Sequence, residues 1–155
     1  MDAHGVWLGG FATRLDDGRG HVVTVDLPSD EGGLDAGTSA LELSVLALAG
    51  CISTIFAIVA RKRRLSYDGF EVSLSAERPP GSPTLQRVLG TVEVRTSASP
   101  EEVETALRLT VKTCPVGVIF EQAKIPVEVR CHVVPTGGRL AETKVIEPSE
   151  SFEYV

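Results

Sequence analysis

The chain has few aromatic side chains and no excess of basic ones. Phe, Trp and Tyr together make up 5% of its 155 residues, and the formal net charge is −6 at pH 7. Proteins that bind nucleic acids or anionic membranes use clustered Lys and Arg to release counterions, so this balance argues against both partners. The one basic run, Arg-Lys-Arg-Arg at 61–64, follows a long apolar segment, where cations favour the end of a helix.

Cysteine is also scarce, and its spacing excludes a common class of metal site. The three cysteines include no Cys-x-x-Cys pair, and the three histidines (His4, His21 and His132) are scattered along the chain. We therefore expect no metal cofactor. The N-terminus also lacks a basic-then-apolar leader, which favours a cytoplasmic location. In that reducing compartment, disulfides are usually transient and catalytic.

The apolar content is sufficient for one globular core. Hydrophobic residues make up 43% of the chain, which is typical of a soluble domain. The changing periodicity predicts the order β-β-α-β-β-α-α-β, an α+β protein with helices on a mostly antiparallel sheet. The predicted segments are a hairpin (5–15 and 21–27), helices (39–64, 99–113 and 115–124) and strands (70–78, 88–96 and 127–133). We assign one domain to residues 1–135 and an acidic tail to residues 136–155, with a weak strand-like piece at 144–146.

The segment from Ser39 to Arg64 predicts an unusually apolar helix. Ser39 and Glu42 fit a capping box at its start, and residues 43–60 contain no charged side chain. A transmembrane helix is one interpretation of such a stretch. We prefer a helix that is apolar all round because it is buried all round, with a partner subunit covering part of it.

The three cysteines occur in different contexts. Cys51 lies deep in the apolar helix, where a thiolate needs a nearby cation such as Arg14, Arg19 or a residue of a partner chain. Cys114 precedes a helix that opens with proline, so its sulfur should lie near free backbone amides that lower the pKa of a thiol. Cys131 alternates with valines, which indicates a core position.

Two cysteine motifs carry a resemblance to a known family. They are Glu-Leu-Ser-Val-Leu-Ala-Leu-Ala-Gly-Cys at 42–51 and Cys-Pro-Val at 114–116, with the basic run of the long helix between them. Together they resemble the OsmC/Ohr family of osmotically inducible and organic hydroperoxide resistance proteins. The resemblance implies antiparallel sheets packed on a long buried central helix in an intertwined homodimer. It also implies reduction of organic hydroperoxides by a cysteine pair, with Cys51 attacking and Cys114 resolving.

The resemblance further implies an external dithiol reductant, such as a lipoyl group, and neither metal nor flavin. In the peroxidase branches of the family an arginine and a glutamate support the attacking thiolate, and Arg14 and Glu42 are the candidates here. Glu42 is nine residues before Cys51, which on a continuous helix places the two side chains on opposite faces. We therefore expect Glu42 to act mainly as a helix cap.

The substrate pocket is predicted from apolar residues around the two cysteines. It would favour organic hydroperoxides over hydrogen peroxide. The predicted lining residues are Leu48, Ile52, Ile55 and Phe120. A second function is also consistent with the sequence: a non-catalytic dimer that binds an apolar small molecule in the same cavity.

Overall fold

The architecture in the computed structural model is α+β, as the sequence predicts. The structure describes residues 1–136 and 141–146, and these contain two small sheets and three α-helices. The chain divides into two compact units, residues 1–46 and 47–155, which are joined within the long helix α1 (Ala40–Arg63). Both cysteines of the predicted pair belong to the second unit, so that unit carries the candidate site.

The first unit is an antiparallel sheet of three strands. These are β1 (His4–Gly9), β2 (Ala12–Asp16) and β3 (Val22–Val25), paired in chain order. The sequence predicted a single first strand over residues 5–15, and this was wrong. The chain reverses at Gly9 and Gly10, which have φ values of 116° and 54°, a region that glycine enters at little cost.

A buried carboxylate organises the loop that leads from β3 to α1. Asp26 is 3% exposed and accepts hydrogen bonds from the backbone amides of Leu27, Leu34 and Ala36 at 2.9, 3.0 and 3.1 Å. The bond from Ala36 contributes most to lowering the pKa of Asp26. A buried carboxylate is stable only when hydrogen bonds compensate for its lost hydration, and these three amides provide them. In turn, Asp26 links the two ends of the loop, because it binds amides at 27 and at 34 and 36.

The predicted capping box at the start of α1 (Ala40–Arg63) is confirmed. The Ser39 amide donates to the Glu42 carboxylate at 2.7 Å, and the Glu42 amide donates to the Ser39 hydroxyl at 3.2 Å. The two bonds satisfy amides that a helix start leaves free. The helix ends where Arg64 enters the left-handed region with φ 57°.

The second unit contains a four-stranded sheet with two helices in one of its connections. Its strands, in spatial order, are β4 (Gly69–Glu77), β5 (Arg87–Thr96), β6 (Val127–Pro135) and β7 (Ala141–Ile146). The β4–β5 and β6–β7 pairs are antiparallel, whereas β5 and β6 are parallel. The parallel pair needs a crossover, which is supplied by α2 (Pro100–Thr113) and α3 (Pro115–Gln122).

Strand β7 lies within the segment predicted as an acidic tail. It pairs with β6 of the same chain, with Ile146 opposite Val129. The strand-like pattern at 144–146 therefore corresponds to a real strand of the second sheet. The rest of the predicted tail, at 137–140 and 147–155, lies outside the described residues.

The core of the second unit is formed by alternate side chains of β5 and β6. Helices α2 and α3 contact β6 and each other. The buried strand residues are Val88, Val92, Val94, Val129, Cys131 and Val133. The inward alternation predicted for these strands is confirmed, and burying each valine stabilises the unit by about 1.5–3 kcal/mol.

Helix α1 buries one stripe of its surface within the chain. The stripe has the four-residue spacing of a single helix face and consists of Leu48, Ile52, Phe56 and Ala60. The ring of Phe56 stacks on Phe70 of β4 with centroids 4.3 Å apart. By length and composition α1 could also cross a membrane, and only 28% of its most apolar stretch is buried in the chain. The prediction that the helix is buried all round is therefore not met within one chain.

Candidate thiol site

Cys51 lies on α1 beside the buried stripe of that helix. Its neighbour Ile52 is 2% exposed, whereas Cys51 itself is half-buried and is not part of a disulfide. A helical residue next to a buried stripe lies at the boundary between core and surface. Cys51 is therefore partly accessible, whereas the next residue is packed in the core.

Cys114 lies at the junction of α2 and α3 and belongs to both helix ends. It adopts an extended conformation with φ −70° and ψ 109°, as expected for a residue whose following proline disfavours the α conformation. Its sulfur caps α3 by accepting a hydrogen bond from the Gly117 amide at 3.4 Å. Cys114 is 1% exposed, so the predicted position at free amides is confirmed inside the core.

The structure brings the thiols of Cys51 and Cys114 together. They lie near enough for Cys51 to raise the pKa of Cys114, and both are free cysteines. Burial, followed by the hydrogen bond with Cys51, raises the pKa of Cys114 to about 11, and the amides of Gly117 and Val116 oppose this change. The prediction of a lowered pKa at Cys114 was wrong, because burial outweighs the amides.

The third cysteine has no such neighbour. Cys131 is 3% exposed on β6, where it alternates with Val129 and Val133. Burial, with a smaller contribution from the charge of Glu104, raises its pKa to about 11. The predicted core position of Cys131 is confirmed.

The family model of OsmC-like proteins matches residues 32–130, more than half of the chain. This chain belongs to the OsmC-like family. No curated protein matches it. The matched segment includes both cysteines of the pair, which confirms the resemblance found in the two motifs.

Solved structures share the fold of this OsmC-like protein at low sequence identity. An OsmC-like protein from Mycoplasma pneumoniae is 16% identical, covers 86% of this chain and 96% of its own, and has a TM-score of 0.77. An organic hydroperoxide resistance protein from Legionella pneumophila, also called a predicted redox protein, is 16% identical with 86% and 95% coverage and a TM-score of 0.66. One from Elizabethkingia anophelis is 16% identical with 86% and 94% coverage and a TM-score of 0.65.

The predicted pocket residues of the OsmC-like protein differ in exposure. Leu48 and Ile52 belong to the buried stripe of α1, at 0% and 2% exposed, and Phe120 of α3 is 5% exposed. Ile55, one helical turn after Cys51, is half-buried. Ile55 is therefore the accessible member of the set, and the pocket itself stays a prediction.

The candidate supporting residues have partners of their own. The Arg14 guanidinium on β2 is 3.7 Å from the Asp16 carboxylate, and Arg19 is 2.8 Å from Asp17. Hydrogen bonds from Ser39 lower the pKa of Glu42, which confirms its role as a helix cap. A catalytic role for Arg14 or Glu42 stays a prediction.

Two further observations concern ligands of the site. Across residues 1–136, no group of three or more His, Cys, Asp and Glu side chains is arranged to hold a metal ion. The Gly117 amide, in contrast, is a contact of Cys114 that the sequence analysis did not single out. Its signal was present, because a helix cap receives its hydrogen bond from the residue two or three positions later.

Proposed function

We propose that this OsmC-like protein reduces organic hydroperoxides with the cysteine pair Cys51 and Cys114. The observation that carries the proposal is the proximity of the two free thiols, which is close enough for Cys51 to raise the pKa of Cys114. A reduced pair of neighbouring thiols is the arrangement from which a disulfide forms. Two of the solved structures with the same fold are named organic hydroperoxide resistance proteins, which supports this substrate class.

The reaction needs two chemical steps and a reductant. The Cys51 thiolate attacks the distal oxygen of the hydroperoxide, the O–O bond breaks, and the alcohol leaves with a proton while Cys51 becomes a sulfenic acid. The Cys114 sulfur then attacks the Cys51 sulfur, the S–O bond breaks, and water leaves as the disulfide forms. An external dithiol, such as a lipoyl group, returns two electrons and two protons to the pair.

The environments of the two thiols support this division of roles. Cys114 is 1% exposed, and with its pKa raised to about 11 it keeps its proton at neutral pH. Since the thiolate is the nucleophile, Cys114 is poorly suited to attack a peroxide first. Cys51 is half-buried and therefore the accessible member of the pair.

The apolar surroundings support an organic substrate. Ile55 lies one turn from Cys51 on α1, and Leu48, Ile52 and Phe120 are buried apolar residues of the same unit. An alkyl or aryl group gains free energy by leaving water for such a surface, at about 25 cal/mol per Å². Hydrogen peroxide has no such group, so these residues would favour its organic counterparts.

The exposed apolar side of α1 supports a homodimer in the cytoplasm. Leu46 is 58% exposed and Ile58 is 37% exposed. Both lie in the segment 43–60 of α1, which contains no charged residue, so the exposed surface there is largely apolar. Contiguous apolar surface on a soluble protein usually marks an interface. Light scattering should give twice the chain mass of 16.5 kDa, and a monomer would contradict this part of the proposal.

The proposed activity is tested by single-turnover consumption of a hydroperoxide. Reduced protein mixed with one equivalent of cumene hydroperoxide should consume it within one turnover, and hydrogen peroxide at least about tenfold more slowly. Cys51→Ser should abolish consumption, because an alcohol does not replace a thiolate nucleophile. An unreactive wild-type protein that nevertheless binds an apolar dye would support the non-catalytic binding function instead.

A further inference from the structure

The start of α3 leaves the backbone amide of Gly117 free to bind the sulfur of Cys114. The first helical hydrogen bond is donated by the Val118 amide to the Cys114 carbonyl oxygen at 3.0 Å. The amide of Gly117 precedes that bond, so it belongs to the group that a helix start leaves without a carbonyl partner. It donates instead to the Cys114 sulfur at 3.4 Å.

Gly117 also leaves room for the Cys114 side chain. A Cβ atom added at position 117 would lie 3.3 Å from the Cys114 Cβ and 3.5 Å from its sulfur. The first of these distances is closer than the usual contact between carbon atoms. A side chain at position 117 would therefore crowd the Cβ atom of Cys114 next to its sulfur and displace it.

We propose that Gly117 is a positioning residue for the resolving step, because its amide and its missing side chain fix the place of the Cys114 sulfur. The proposal rests on the cysteine pair of the proposed function. Gly117 touches no substrate and acts through Cys114 alone. Its amide is already bonded to the sulfur while both cysteines are free thiols.

The contacts of Cys114 also explain the order of the two steps. While Cys51 is reduced, its hydrogen bond and its charge raise the pKa of Cys114. Oxidation of Cys51 to a sulfenic acid replaces the thiol that raises this pKa, whereas the amides of Gly117 and Val116 that lower it stay beside the Cys114 sulfur. Deprotonation of Cys114 then becomes easier, at the point in the cycle when its thiolate is needed.

A test that needs no peroxide uses an aromatic disulfide, 5,5′-dithiobis(2-nitrobenzoate). The Cys51 thiolate breaks the S–S bond of the reagent, forms a mixed disulfide and releases one thionitrobenzoate. Cys114 then loses its proton, attacks the Cys51 sulfur and displaces the second thionitrobenzoate, which leaves the protein disulfide. The second phase therefore measures the resolving cysteine, and peptide mapping of the product assigns the bond.

Two variants separate the amide from the space that Gly117 provides. Gly117→Pro removes the donor and should slow the second phase about tenfold and move its pH midpoint upward by about one unit, as expected for a lost hydrogen bond to a thiolate. Gly117→Ala keeps the donor and should slow that phase severalfold with no change of midpoint. The first phase should be unchanged in both.

Gly50→Ala is the matched control, since it adds the same methyl group at a helical position where, apart from the adjoining residues and backbone of α1 itself, nothing lies within 4 Å of the new carbon. A second phase as fast in both Gly117 variants as in this control would overturn the proposal, as would equal slowing of both phases. If Gly117→Pro does not fold, Gly117→Ala still decides between these results. Two normal phases in a wild-type protein that consumes no hydroperoxide would overturn the proposed function and leave the role of Gly117 in place.

Discussion

The α2–α3 junction and the middle of β6 each hold a buried cysteine, and the two differ in their neighbours. Cys114 and Cys131 are 1% and 3% exposed, and the pKa of each is raised to about 11, chiefly by burial. At the junction, Cys114 contacts a second thiol and a helix amide. On β6, Cys131 lies between valines. Burial and pKa are therefore shared, and only the contacts distinguish a candidate redox thiol from a core residue.

The largest difference between the two cysteines is expected in turnover. Cys114→Ala should lower multiple-turnover peroxide reduction by at least about a hundredfold with a dithiol reductant, because the sulfenic acid on Cys51 has no partner and is oxidised further. Cys131→Ala should leave the rate unchanged. The measurement is steady-state consumption of cumene hydroperoxide by each variant. Equal losses in both variants would remove the distinction between the two sites.

Serine substitutions should destabilise the protein more at position 131 than at position 114, the opposite of the order expected for turnover. Cys131→Ser places a hydroxyl on a strand face among valines and should lower the free energy of unfolding by about 1–3 kcal/mol. Cys114→Ser should cost less than about 1 kcal/mol, because serine is a favoured helix cap and can accept the Gly117 amide. Urea unfolding of the two variants measures both values. A larger loss at 114 than at 131 would contradict the description of the two contacts.

Both buried thiols should make the stability of the protein fall at alkaline pH, because the pKa of each is raised in the folded state. Each thiol has a folded pKa of about 11, above the ordinary value of 9.0, so between these values the folded state binds more protons than the unfolded state. The stability from each buried thiol is thus complete below pH 9 and is lost as the pH rises through 11. Cys131→Ala should reduce this alkaline loss by an amount of the order of 2 kcal/mol. Thermal unfolding at pH 7 and pH 10.5 measures it, and an unchanged loss would be inconsistent with burial as the cause.

The smallest effect is expected from Glu104, whose charge helps to raise the pKa of Cys131. Glu104→Gln removes that charge, so the pKa of Cys131 should fall slightly. The alkaline loss of stability still begins at the unfolded pKa, but it should end at a slightly lower pH and be slightly smaller. The aromatic disulfide reaction of Cys51 and Cys114 should not change, and a change in that reaction would show that the two sites are coupled.

The sequence predicted the helices well because their signals are local. The capping box predicted at Ser39 involves side chains three residues apart and forms as expected, and a second box of the same kind forms at Ser99, at the start of the predicted helix 99–113. The predicted strand alternation also holds in β5 and β6, because one face of each is buried. The turn at Gly9 and Gly10 was missed, since the flanking Trp7 and Phe11 are 71% and 56% exposed and give no pattern of burial.

The candidate site was only partly predictable for a related reason. The motifs indicated which cysteines matter, and the proline after Cys114 indicated a helix cap. The direction of the Cys114 pKa change was not predictable, because burial and the contact with Cys51 arise from packing between α1 and the α2–α3 junction, 63 residues apart in sequence. Strand β7 (Ala141–Ile146) was likewise predicted only in part, at 144–146, because it pairs with β6 through its backbone.

The most direct test of the cysteine pair is peptide mapping of the oxidised protein without reduction. Reduced protein is treated with one equivalent of cumene hydroperoxide, blocked with an alkylating reagent, digested and analysed by mass spectrometry. We predict one major cross-linked species that joins the peptides of Cys51 and Cys114, with Cys131 recovered as the alkylated thiol. Oxidation confined to Cys131, or a stable oxidised Cys51 beside an alkylated Cys114, would contradict the account.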